Sequence, residues 1–103
     1  MMETNVAQRW FDFMDFLDND PKLNVWHISL MLAIARLACK QKENWVIHVS
    51  RSKLMKLSHI DSITSYHRYF KELQQFGYIK YIPSYHPHYR STVEIIKRFD
   101  VRK

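Results

Sequence analysis

The chain has 103 residues, one domain's worth, and 47% of them are hydrophobic, enough to build a core of the modest size such a length permits. Its net charge is +6, and its single glycine excludes a glycine-rich phosphate loop. One cysteine excludes an intrachain disulfide and suits a reducing compartment, so a cytoplasmic protein is expected.

Asn5–Leu17 reads as an amphipathic helix capped by Thr4 or Asn5. Val6, Trp10, Phe13, Met14 and Leu17 recur at i, i+4, i+7, i+8 and i+11. Phe11 and Phe16 lie off that stripe. A short helix this aromatic either covers the core of its own domain or pairs with a second copy. The second use makes Val6, Trp10, Phe13, Met14 and Leu17 a homodimer interface, aided by Phe11 or Phe16. Asp12, Asp15 and Asp18 would be repelled by a polyanion and set this helix apart. Residues 1–20 are expected to be this packing or dimerisation helix, and their acidic start is unlike a signal peptide. Asn19-Asp20-Pro21 ends it.

Val25–Lys42 carries the longest helical pattern. Val25, Ile28, Leu32, Ala35 and Cys39 fall at three- and four-residue spacing, flanked by Met31, Ile34, Leu37 and Ala38. The helix is apolar over more than half its circumference and is expected to be the central support of the domain, with Cys39 as a small core residue. The apolar run Ile28–Cys39 is interrupted by Ser29 and Arg36 and is too short to span a bilayer. Trp45–Val49 reads as a short strand.

Ser50–Leu57 is a shorter helix capped by Ser50, with Leu54, Met55 and Leu57 inward. Ser58–Asp61 connects it to a longer helix, Ser62–Gly77. Ser62 suits the N-cap and Gly77, the only glycine, suits a left-handed C′ position. In that helix Tyr66, Tyr69, Phe70, Leu73 and Phe76 share one side, while Thr64, His67, Arg68, Lys71 and Gln75 share the other. Tyr78–Ile82 and Thr92–Lys97 are β-rich and flank Pro83–Ser91, giving a hairpin.

Short helix, tight turn, longer helix and hairpin together resemble the winged helix-turn-helix DNA-binding domains. The run from Ser50 to Ser84 resembles small winged-helix proteins carried by bacterial mobile elements, and Leu73–Ile79 (LQQFGYI) is its most specific part. The resemblance covers about Val25 to Lys97. It implies an α+β, mostly helical winged helix in the order helix, helix, strand, helix, recognition helix, strand, strand. Residues 21–98 form that domain and 99–103 a charged tail.

Charge divides along the same line. Residues 1–50 hold five basic groups (Arg9, Lys22, Arg36, Lys40, Lys42) against six acids and carry a net −1. The remaining residues hold eleven basic against four acidic groups, a net +7. A half this basic predicts a polyanionic partner, here double-stranded DNA. Thr64, His67, Arg68 and Gln75 are the candidate base contacts, because their donors and acceptors match base edges. Arg51, Lys53, Lys56, Ser62, Ser65 and Lys71 are candidates for the DNA backbone. In the wing, His86, His88, Tyr89 and Arg90 are candidates, with Arg90 favoured for the minor groove.

His86 and His88 with His59 or His67 fall short of a metal's first shell, so neither metal nor cofactor is expected. No catalytic motif is visible, and no enzyme is expected. The expected function is duplex DNA binding as a bacterial transcriptional regulator. The alternatives are a replication or excision accessory protein of a mobile element, and a winged-helix adaptor that docks partner proteins through its N-terminal helix.

Overall fold

The computed structural model describes residues 2–42, 45–85 and 90–96, and only the backbone for residues 2–7, 9 and 10. The elements run α1 (Met2–Asp18), α2 (Val25–Gln41), β1 (Val46–Val49), α3 (Arg51–Ser58), α4 (Ile63–Gln75), β2 (Ile79–Ile82) and β3 (Ser91–Ile95). This is a mostly helical α+β fold. Among the described residues no helix is long and apolar enough to cross a membrane. The wing candidates His86, His88 and Tyr89, residues 97–103 with the charged tail among them, and the side chains of Val6 and Trp10 lie outside the described residues.

Local hydrogen bonds set the helix ends. The Asn24 side chain accepts the Trp26 and His27 backbone N–H groups, while the Asn24 N–H donates to the His27 ring. This reciprocal cap satisfies N–H groups the first turn leaves unpaired. Ser50 Oγ accepts the Lys53 N–H at 3.3 Å, and Ser62 Oγ accepts the Ser65 N–H at 3.2 Å. At the far end of α4, the Tyr78 N–H donates to the Leu73 carbonyl and the Gly77 N–H to the Gln74 carbonyl. That Schellman closure needs a left-handed residue, and Gly77 supplies it with φ +84°. His59 closes α3 the same way with φ +62°, at the steric cost a side chain adds.

The three strands form one antiparallel sheet in the order β1-β3-β2. Ile47 faces Val93 across β1–β3, and Ile79 faces Ile95 across β2–β3. Alternation turns Ile47, Val49, Val93 and Ile95 inward. They meet Leu30, Met31, Ile34 and Leu37 of α2, Leu54 of α3, and Tyr66, Phe70 and Leu73 of α4. The Gln41 side chain ties the end of α2 to β1, donating to the His48 carbonyl at 2.7 Å and accepting its N–H at 2.9 Å.

Two expectations are corrected. Cys39 is exposed and not a core residue, and Val25 at 68% and Leu32 at 46% exposure lie outside with it, while Ala35 of the same stripe is buried. The buried residues of the helix are His27, Leu30, Met31, Ala33, Ile34, Ala35, Leu37 and Ala38. A helix apolar around most of its circumference offers two competing stripes, and the surfaces of α3, α4 and the sheet decide between them. On α1, Phe13 and Leu17 are fully buried in the chain's own core, so they do not form a surface for a second copy. Phe13 meets Trp45 edge-on at 6.4 Å, and Phe16 lies 6.5 Å from Tyr78. Met14 is half-buried, and Phe11 remains on the outside at 67% exposure.

Candidate nucleic-acid interface

The period of α4 separates its two faces. Tyr66, Phe70 and Leu73 are buried, and the Tyr66 and Phe70 rings stack at 5.3 Å. Phe70 also meets Tyr81 of β2 edge-on at 5.2 Å, which fixes the angle between α4 and the hairpin. Burial pushes the Tyr66 hydroxyl up to about 12, so it stays protonated and neutral at physiological pH. The outward face holds Thr64, His67, Arg68, Lys71, Gln74 and Gln75, all exposed.

Three concavities meet along this side of the molecule. The first, about 650 Å³, lies between α3, α4 and β2 and is lined by Ser50, Arg51, Ser52, His67, Lys71, Gln74 and Tyr81, with Tyr66 and Phe70 as its floor. The second, about 460 Å³, shares Ser50, Arg51 and Tyr81 with it and adds Lys53 of α3 and Arg90 at the loop end of the hairpin. The third, about 630 Å³, shares Lys53 and Arg90 and adds Lys56, Lys40 and His48. Shared residues make them one continuous band. Lys71, Arg51, Lys53, Arg90, Lys56 and Lys40 supply six permanent cations, and among the described residues no carboxylate lines it. A polyanion laid along this band meets unopposed positive charge at each step.

Glu72, the carboxylate of α4, is turned aside. Glu72 accepts from His27 at 2.7 Å and from Arg68 at 3.4 Å, on the side of α4 next to α2. The His27 hydrogen bond, with Arg68 secondary, holds its carboxyl below the usual range. Arg68 therefore sits at the edge of the exposed face, its guanidinium carbon 5.4 Å over the Tyr69 ring.

The predicted site residues divide accordingly. Arg51, Lys53, Lys56, His67, Lys71 and Arg90 are brought together on the band. Thr64 and Gln75 are exposed on α4 but line none of the three concavities. Ser62 and Ser65 line a separate depression with Trp26, His59 and Asp61, and the Ser62 hydroxyl is engaged as the N-cap. Sequence reasoning missed Gln74, Tyr81, Lys40 and His48. Gln74 was within reach, since His67, Lys71 and Gln74 recur at i, i+4 and i+7. Lys40 and His48 carry no such signal, because only the packing of α2 against β1 and α3 brings them here.

Among the described residues no group of three or more His, Cys, Asp or Glu is placed to hold a metal ion. No family model, curated protein or solved structure matches the chain.

Proposed function

We propose that the chain is a winged helix-turn-helix protein that binds duplex DNA and acts in transcription regulation. α4 is its recognition helix, entering the major groove. The β2–β3 hairpin is the wing, resting on the minor groove or the backbone. The observation that carries this reading is the band of six cations, free of carboxylates among the described residues, that runs over α3, α4 and the loop end of the hairpin. The element order and the β1-β3-β2 sheet support it, because they set a short helix, a four-residue link, a longer helix and a hairpin in succession. Arg51 and Lys53 sit in the first turn of α3, where they neutralise phosphate while α4 approaches the bases. The regulatory role follows from the sequence resemblance, and its mechanism is occlusion or recruitment at a bound site, with no chemistry.

A salt titration with labelled duplex DNA tests the reading. If about five of the six cations contact phosphate, the log–log slope of affinity against salt is about −4.5. Selection from a random duplex pool then gives the preferred site. A slope near zero refutes DNA binding.

A further inference from the structure

A paired base shows a protein only its edge, because both its faces are stacked on neighbours. A phosphate is met by charge and hydrogen-bond donors alone. Neither ligand has a use for the face of an aromatic ring, yet the concavity between α3, α4 and β2 presents one. Tyr81 stands opposite Val93 in the β2–β3 register, so its ring lies on the core side of the sheet, with Val93, Ile79 and Ile95. Those three are buried, whereas Tyr81 keeps 36% of its surface in solvent. It meets Phe70 of α4 edge-on at 5.2 Å and borders both the first and the second concavity. Tyr66 and Phe70 continue the aromatic floor, and Arg51 of α3 and Lys71 of α4 line the same space from the two helices. Among the described residues no carboxylate lines it. Its volume, about 650 Å³, is within the range of about 300–1,000 Å³ that small planar ligands occupy.

We propose that this concavity receives one unpaired nucleobase of a DNA strand, stacked on the Tyr81 ring, with the flanking phosphates on Arg51 and Lys71. The combination of ring and cations selects the ligand. A polyanion without accessible rings leaves the Tyr81 surface unused, and a neutral aromatic molecule leaves Arg51 and Lys71 unused. A nucleotide out of the stack uses both, because it offers a flat π face between two phosphates. The proposal rests on the DNA reading and extends it. DNA that already carries an unpaired base does not pay for unstacking and unpairing, so it is held in preference to fully paired duplex.

Three labelled duplexes of one sequence test this with the full chain: one fully paired, one with a single extra thymine, and one with an abasic residue in place of that thymine. The last two share the bulge and differ only in the base. The thymine bulge is expected to bind about tenfold more tightly than either of the others, within what one base stacked on an aromatic ring supplies. With 5-iodouracil at the unpaired position, irradiation is expected to cross-link the base to Tyr81, and pairing that base is expected to abolish the cross-link. Tyr81→Phe should keep the tenfold ratio, and Tyr81→Ala should bring it close to one. Tyr81→Ala also loses the Phe70 contact, so the cross-link in the parent chain decides independently whether the ring meets the base. A parent that binds all three duplexes alike overturns the proposal and leaves the DNA reading standing. So does a preference shared by the abasic bulge, which would come from bending alone, or a cross-link that falls on another residue. A parent that binds none of the three refutes the DNA reading and this proposal with it.

Discussion

His27 and Glu72, 45 residues apart in the chain, are joined by a 2.7 Å hydrogen bond that fastens the first turn of α2 to α4. The His27 Nδ1 already accepts the Asn24 N–H at 3.0 Å, so its proton lies on Nε2 and is donated to Glu72 Oε1. The ring is buried, with Tyr69 edge-on at 5.2 Å and Phe76 at 5.5 Å. One side chain therefore caps a helix, fills core and positions α4 from behind. His27→Ala removes all three, and a loss of about 2–4 kcal/mol is expected from the cavity and the unpaired cap. Urea denaturation measures it; an unchanged midpoint would show that the ring carries no structural burden.

The same contact makes stability depend on acid. The carboxyl of Glu72 is lowered from 4.5 chiefly by His27, and that of Asp20 from 3.8 chiefly by the Tyr78 hydroxyl that donates to it. A lowered folded value means the unfolded chain takes up the proton first. The contribution is complete above those ordinary values and is lost as pH falls through the lower folded ones. The denaturation midpoint of the parent should therefore fall progressively below about pH 4.5. Glu72→Gln and Asp20→Asn should each start lower and lose less over that range. Variants that fall as steeply as the parent would assign the acid sensitivity elsewhere.

Tyrosine sets the alkaline side, with the opposite sign. Burial raises the Tyr66 hydroxyl from 10.0 to about 12, and burial with Asp20 raises that of Tyr78. A raised folded value gives stability that is complete below about pH 10 and is lost as pH climbs through the folded values. Tyr66→Phe should flatten that decline. Absorbance of ionising tyrosine during an alkaline titration checks the order: exposed tyrosines ionise first, and Tyr66 and Tyr78 last or only on unfolding.

Gly77 isolates a backbone effect. Its φ is +84°, and a Cβ built on it meets nothing within 4 Å. Space is not the obstacle, so the cost of Gly77→Ala is conformational, about 1–2 kcal/mol, and Gly77→Asn should cost less. Chemical denaturation of the two variants separates these values. Equal losses would point to a role for Gly77 other than its left-handed backbone.

Much of this fold was legible because local signals agreed. Ser50, Ser62 and Gly77 mark their helix ends in the sequence and occupy them in the structure. The polar and aromatic faces of α4 separate cleanly because polar groups alternate with rings at helical spacing. On α2 only Cys39 was misplaced, for the converse reason: with apolar residues on most sides, periodicity alone does not choose between the Leu30–Ile34–Leu37 face and the Val25–Leu32–Cys39 face. Phe13 and Leu17 were ambiguous because a stripe that covers a core looks like one that pairs with a copy. The band's outer end was only partly within reach: Lys56 was named with α3, whereas Lys40 and His48 come from other elements and join it only through packing.

The last prediction distinguishes the two edges of α4 as DNA-reading groups. His67, Lys71 and Gln74 line the groove beside Arg51, whereas Arg68 is drawn toward Glu72 and Tyr69 on the opposite edge. If α4 meets DNA along the band, Lys71→Ala weakens all duplexes alike and reduces the salt slope by about 1, as expected for one lost phosphate contact. Gln74→Ala costs about 1–3 kcal/mol on the selected site and relaxes preference at one position, because an amide can bond two atoms of an adenine edge. Arg68→Ala has the smaller effect on base preference, since its guanidinium must first leave Glu72. Binding measured on selected and random duplexes for the three variants decides the matter. If Arg68→Ala flattens base preference while Gln74→Ala leaves it intact, the helix enters the groove by its Arg68 edge, and the band contacts backbone alone.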